Sequence, residues 1–226
     1  MKLLTVENAK TTKGESLGYL TGILYLAPAD LSGVNLCPFA SEGCKKACLN
    51  TAGRGCFQSI QDARIIKTLH FLNNREGFIE QLKHDIRAIE RRAAREGLKV
   101  AIRLNGTSDI RWEIVAPELF TEFSHIQFYD YTKAPYSVRP KEKLPKNYHL
   151  TYSRSETTSL SEIKTALKAG RNVAVVYDSE KMHDLIVKGD AHDLRFLDAP
   201  GKIVALIAKG KAKKDESGFV ISKKAA

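Results

Sequence analysis

The chain has no apolar run close to the roughly 20 residues that a bilayer-spanning helix needs, which excludes an ordinary transmembrane segment. Its opening, MKLLTVENAKTTKGES, turns polar too early for a secretory signal. Both absences assign the protein to the cytoplasm. No internal repeat is visible, so the 226 residues are read as one domain, 1–208, with a basic C-terminal tail, 209–226. Acidic side chains are the scarcer charge: 26 Asp and Glu against 36 Lys and Arg leave a net charge of +10. A surface of that sign favours polyanions, with nucleic acid or a nucleotide first among them. Cysteine is rare too, yet all four, Cys37, Cys44, Cys48 and Cys56, fall in one loop. In a reducing compartment such clustering points to ligation or catalysis rather than disulfides.

What is present is an ordinary core-forming pattern, with 43% apolar and 27% charged residues setting disorder aside. Strand-like runs occur at Tyr19–Leu26, Val100–Leu104, Ile126–Asp130, Tyr148–Tyr152, Val173–Tyr177 and Ile203–Ala208. Most are separated by helix-length segments. Helices are predicted near Gln58–Asn73 and from about Glu76 to Glu96. In the second, Phe78, Leu82, Ile86 and Ile89 share one face, and Arg87, Arg91, Arg92 and Arg95 share the other, with Gly97 as a stop. The near-continuous apolar run Val173–Tyr177 suits a parallel strand covered on both faces. The expectation is an α/β fold: a partial (βα)6 barrel-like domain, with a Cys-rich loop, 27–56, after its first strand. Ala134–Asn147 reads as an exposed basic loop. The lysine-rich tail reads as a solvated end or a nucleic-acid arm.

The loop sequence LCPFASEGCKKACLNTAGRGC spaces its cysteines as C-x6-C, C-x3-C and C-x7-C. Only Cys44 and Cys48 form the tight pair that structural zinc prefers. An iron–sulfur cluster accepts wider spacing, and three thiolate ligands leave one iron open. Four reduced cysteines without metal are the third alternative. Lys45 and Lys46 beside the thiols are expected to favour the thiolate. A loop at the carboxyl end of the first strand lies where α/β folds build active sites, so a catalytic centre fits this position better than a structural zinc does.

The other strand ends carry a consistent polar set. Asn105, Ser108, Asp109 and Glu113 follow the second strand, and Asp130, Tyr131 and Lys133 the third. Ser153, Arg154, Ser155 and Glu156 follow the fourth. Groups converging on one rim are what a substrate pocket requires, and Asp109, Asp130, Lys133 and Glu156 are the catalytic candidates. Taken singly, Asp109 also reads as a helix cap and Ser153–Thr158 as a capped turn. Lys133 and Arg154 suit a phosphate or carboxylate. A second constellation, Asp190, His192, Asp193, Arg195 and Asp198, reads either as a hard-metal site of a nuclease or as a solvated loop with an internal Asp–Arg pair. The remaining histidines, His70, His84, His125, His149 and His183, show no ligand spacing. Trp112 and the pair Tyr129 and Tyr131 read as base-stacking rings or as core.

The segments CPFASEGCKKACLNTAG, RLNGTSDIRWE, QFYDYTK, TYSRSE and DLRFLDAPGKIVALIAKGKA resemble the phage-associated gene product eighty-eight family over nearly the whole chain. That resemblance implies a phage or mobile-element origin, hence host cytoplasm, and involves the first three cysteines. The loop is also similar to that of phage radical-SAM-like proteins with a C-x6-C-x2-C signature, from which it departs by one residue. This second resemblance implies a 4Fe–4S cluster on Cys37, Cys44 and Cys48 and S-adenosylmethionine as cofactor. It assigns Asn105, Ser108, Asp109, Ser153 and Ser155 to the cofactor's amino-acid and ribose parts. Two readings stand: an iron–sulfur enzyme acting on nucleic acid or a nucleotide, and a zinc- or cluster-stabilised nucleic-acid-binding protein without catalysis.

Overall fold

The computed structural model describes residues 1–7, 9–179 and 187–222. All six predicted strands are present, as β2 (Tyr19–Leu24), β3 (Lys99–Arg103), β4 (Gln127–Thr132), β5 (Tyr148–Ser153), β6 (Val173–Tyr177) and β8 (Ile203–Ile207). Each pairs in parallel with the next, in chain order. Three strands of two residues each complete a nine-stranded sheet: β1 (Leu4–Thr5), β7 (Val187–Lys188) and β9 (Val220–Ile221). β1 runs antiparallel along β2, and β7 lies outside β8. The sheet is therefore open rather than a closed barrel. Its two edges, β1 and β7, carry too little ladder to pair with each other.

Helices form where the sequence predicts them. α3 covers Gln58–Asn73 and α4 covers Arg75–Glu96. The Asn74 side chain accepts the Gly77 N–H at 3.0 Å to start α4, and Gly97, at φ 66°, ends it in the left-handed region. Phe78, Leu82, Ile86 and Ile89 are buried against Leu20, Leu24, Ile102 and Phe128 of the sheet. α5 (Trp112–Val115) and α6 (Glu118–Glu122) extend that layer, and α7 (Leu160–Lys168) covers the β5–β6–β8 end of the same face. On the opposite face Ala101 and Tyr129 meet Leu194 and Phe196 of the loop before β8. The short α1 (Ala9–Glu15) precedes β2, and α2 (Glu42–Lys46) lies within the cysteine loop.

The C-terminal segment departs from its predicted free state. β5 pairs with only the first two residues of β6, and β9 takes over that edge at Val176 and Tyr177. Phe219 and Val220 are buried with Ala47, Ala208 and Ala212. Residues 209–221 are thus part of the packed domain, because the divergence of β5 from β6 leaves unpaired backbone that β9 satisfies. Residues 223–226 and His183 lie outside the described residues.

Candidate metal centre at the carboxyl rim of the sheet

The cysteine loop leaves the end of β2 and is bent back over the rim by hydrogen bonds from neighbouring strands. Ala29 sits at φ 41°, a conformation costly for a residue with a Cβ. It directs its N–H to Cys37 Sγ at 3.4 Å. The Cys37 thiol donates to Thr107 O at 3.7 Å, and the Asp109 N–H reaches Leu36 O at 2.9 Å, so the loop is tied to the turn after β3. The next turn is α2. Ser41 Oγ accepts the Cys44 N–H at 3.2 Å. The Glu156 carboxylate, arriving from the end of β5, accepts the Ser41 hydroxyl at 2.7 Å and the Gly43 N–H at 2.8 Å. Cys48 follows, and the Asn50 side chain beyond it is held by buried Arg64 of α3.

Burial divides the four thiols. Cys37, Cys44 and Cys48 are partly buried and Cys56 is exposed, with its thiol donating to Gly53 O at 2.9 Å. Desolvation raises the first three thiols, and Cys37 is pushed up to about 12. Charges on Cys44 and Cys48 raise Cys37 further, so these three lie within electrostatic reach of one another. Opposing cations come from the rim. Lys133 lowers Cys44 and Cys48, and Arg64 lowers Cys48. The sequence assigned that part to Lys45 and Lys46. Lys45 instead turns to Glu42 at 3.1 Å and Asp30 at 3.8 Å. Among the described residues no three His, Cys, Asp or Glu side chains are gathered tightly enough to hold a single metal ion.

The polar set predicted at the strand ends separates into two layers. Lys133 stands beside the cysteine loop. Its Nζ donates to Ser153 Oγ and Arg154 O, both at 2.8 Å, and lies 4.5 Å from the Phe219 ring centre. Desolvation lowers its pKa, against the charges of Cys44, Asp109 and Glu156. Asp109 accepts the Lys133 N–H at 2.8 Å and Arg139 at 3.2 Å. Arg154 clasps Gly218 O at 2.6 Å and Phe219 O at 2.9 Å, fastening the C-terminal segment. Ser155 closes a turn with Thr157 and Thr158.

The second layer is deeper. Asn105 donates its N–H to Asp130 at 2.7 Å and its amide to Ile110 O at 2.9 Å. Its carbonyl accepts Ser108, the Ile110 N–H and Trp112 at 2.9, 2.9 and 3.2 Å. Tyr148 completes Asp130 at 2.8 Å. In this layer Asn105, Ser108 and Asp130 brace the turn after β3, and Trp112 and Tyr129 are core.

Sequence reasoning missed Arg139, placed in a loop predicted to be exposed. It is buried and grips Glu113 with two bonds, at 2.9 and 2.7 Å, besides Asp109. Its only signal is two carboxylates four residues apart that need a cation. The Asp190–Asp198 constellation also resolves into separate pairs. Asp193 meets Arg103 at 2.8 Å, Arg195 meets Asp198 at 3.2 Å, and Asp190 meets Lys209. Only Arg195–Asp198 is the internal Asp–Arg pair foreseen as the alternative to a metal site; the other two reach outside the segment, and Asp193 and Arg195 are buried rather than solvated.

The model of the Gene product 88 family matches residues 2–223. The chain belongs to that family. No curated protein and no solved structure matches it. The Gene product 88 match spans the cysteine loop, the rim residues and the C-terminal segment alike. Two cavities of about 410 and 710 Å³ lie elsewhere in this family member: beside the N-terminal strand, and at the amino ends of β2–β4. No helix among the described residues is long and apolar enough to cross a membrane.

Proposed function

We propose that this phage protein is an iron–sulfur enzyme in which Cys37, Cys44 and Cys48 hold a 4Fe–4S cluster at the carboxyl rim of the sheet. The observation that carries the reading is the sorting of the thiols. Three are partly buried and within electrostatic reach of one another, with Lys133 acting on Cys44 and Cys48, while Cys56 is exposed. Each thiolate of a cluster binds its own iron, so the set need not converge on one point as ligands of a single zinc must. When bound, such a cluster supplies one-electron chemistry at its open iron, where S-adenosylmethionine is the candidate cofactor.

The chain's own residues then have definite work. Glu156 and Ser41 fix the turn that presents Cys44, and Ala29 and Thr107 fix Cys37. The strain at Ala29 is the kind of local cost that a site-forming loop retains. Lys133 places a cation beside thiols whose ligating form is anionic. Asn105 and Ser108 stabilise the rim from beneath, while Glu156 holds the loop directly and Ser153 and Arg154 hold Lys133 beside it. The net charge of +10 supports nucleic acid or a nucleotide as substrate.

Anaerobic purification with iron, sulfide and zinc analysis tests this. Brown protein that loses its colour in Cys37→Ala, Cys44→Ala and Cys48→Ala, and keeps it in Cys56→Ala, is expected. Colourless protein with stoichiometric zinc would overturn it in favour of a zinc-stabilised binding module. Failure of the brown protein to bind S-adenosylmethionine would remove the cofactor and leave the cluster.

A further inference from the structure

Part of the positive charge is neutralised in place by ion pairs. On α4, the helix whose arginine face the sequence singles out, Arg87 pairs with Glu122, and Arg92 pairs with Glu96 and Glu7. Arg91 and Arg95 of the same face are exposed with no ion pair among the described residues, and the cations around the cysteine loop form a second such group. Lys46 and Arg54 are exposed and have no acidic partner among the described residues. Lys211, Lys213 and Lys214, on the short helical turn 210–214, are likewise exposed and unpaired.

Backbone contacts join the two groups into one ledge. The Lys211 N–H meets Thr51 Oγ1 at 3.3 Å, and a Cβ on Gly210 would lie 2.8 Å from Thr51 O and 2.9 Å from Ala52. Ala212 packs in the cluster that holds Ala47. Arg54 is two residues beyond Ala52, and Lys46 directly precedes Ala47. The nearby acid Asp215 is turned inward, accepting the Ser217 hydroxyl at 2.6 Å and the Val220 N–H at 2.9 Å, which leaves Glu216 as the exposed acid of that turn.

Apolar surface lies within the same ledge. Phe57, directly after the turn that carries Arg54, is 58% exposed, and Leu49 is 45% exposed. Phe57 thus offers an exposed aromatic ring three residues from the exposed Arg54. Unpaired bases supply flat π-faces and phosphates together, whereas a duplex hides its base faces in the stack. We infer that this ledge is a binding surface for single-stranded nucleic acid, with Lys46, Arg54, Lys211, Lys213 and Lys214 on the phosphates and Phe57 under a base. The inference deepens the proposed function by naming the polyanion as a strand and placing it beside the cysteine loop. It rests on that reading for its catalytic meaning, though not for binding.

The test is fluorescence anisotropy with labelled 20-nucleotide single strands, DNA and RNA in separate arms, and the matching duplex, over a range of salt. The anaerobically purified full-length protein is used, with iron content measured on the same sample. Lys211→Ala/Lys213→Ala/Lys214→Ala is expected to weaken single-strand binding at least tenfold. It should also flatten the slope of log K against log salt by about 2, as loss of three phosphate contacts requires. Phe57→Ala is expected to weaken binding about tenfold at unchanged slope, with an unchanged melting temperature showing that the domain is intact. Arg91→Ala/Arg95→Ala on α4 serves as the control and should change little.

Equal or tighter duplex binding, or losses in the α4 control that match those in the ledge variants, would overturn the inference. Binding without iron leaves the ledge standing and sinks the cluster. Iron without single-strand binding does the reverse.

Discussion

Glu156 and Gly43, 113 residues apart, meet through a single 2.8 Å hydrogen bond from the Gly43 N–H to the carboxylate. It fixes the cysteine loop to the end of β5. A Cβ at position 43 would lie 2.6 Å from Oε2 of the same carboxylate and would also meet Ser217, so any larger residue would displace the clasp. Burial works against ionisation of Glu156. The Ser41 hydroxyl, the backbone N–H groups of Glu156 and Gly43, and the charge of Lys133 nevertheless hold its carboxyl below the usual range.

The first expectation concerns that clasp. Ser41→Ala removes the cap of α2 and one of the two loop contacts to Glu156, which costs about 1 kcal/mol. Glu156→Ala removes both contacts together, about 1–3 kcal/mol. Because the two groups share a bond, the double variant should lose less than the sum, by at least 0.5 kcal/mol on the scale of coupled neighbours. Urea titrations of the four proteins measure this. Strict additivity would show that the loop is held by other contacts.

Arg139 gives the second. It carries two carboxylates, Asp109 and Glu113, and donates nothing to solvent. Arg139→Met takes the arginine from buried Asp109 and leaves Glu113 only Arg111 at 3.6 Å, and should cost about 3–5 kcal/mol. Adding Glu113→Gln removes one of the two charges and should recover a measurable part of that loss in chemical denaturation. No recovery would mean that the arginine stabilises through packing alone.

These residues show how far sequence carries. Six strands were legible because Val, Ile and aromatic runs mark parallel strands buried on both faces. α4 was legible because its apolar positions keep the helical period and Asn74 and Gly97 punctuate it. β1, β7 and β9 were not, since two residues carry no period and exist only through the neighbour they pair with. α3 was legible with the same bounds, Gln58–Asn73, although its faces are less regular than those of α4. It buries Arg64 and Thr68 while exposing Phe57, just ahead of it, and Ile66, so its pattern answers to the cysteine loop rather than to a core. Arg139 was hidden because Pro and Lys around it look like solvent-facing loop, and only the fold brings Asp109 and Glu113 to it. The cysteines and Lys133 were found by type and position. The family resemblance already set the first three apart from Cys56; the fold adds their partial burial and the exposure of Cys56.

Asp130 supplies a third expectation. Burial raises its pKa to about 7, with Arg103, the Asn105 N–H, the Tyr148 hydroxyl and Arg139 opposing. In the unfolded chain it titrates near 3.9. The folded state therefore holds this proton more tightly, and the stability it contributes is complete below about pH 4. That contribution is lost as pH rises to 7. Asp130→Asn cannot titrate. The stability of the wild type relative to Asp130→Asn should fall between pH 4 and pH 7, at up to about 1.4 kcal/mol per pH unit, and level off above. A gap that stays constant across that window would refute the assignment.

His149 tests the opposite sign. It lies on β5 facing Arg195, and its pKa is lowered to about 4 by burial first and then by Lys141, Arg171 and Arg195. Its Nε2 has no hydrogen-bond partner among the described residues, so no described group there rewards a second proton. The unfolded chain takes that proton up near pH 6.5, and the folded chain only near 4. Between those values the unfolded state binds more protons, and stability drops as pH falls through the window. His149→Leu removes the titration and keeps an apolar filling of similar size. Melting temperatures should then show the variant gaining on the wild type as pH is taken from 7 to 4.5. If the two proteins instead lose stability in parallel, acid sensitivity arises elsewhere and the buried imidazole is not its source.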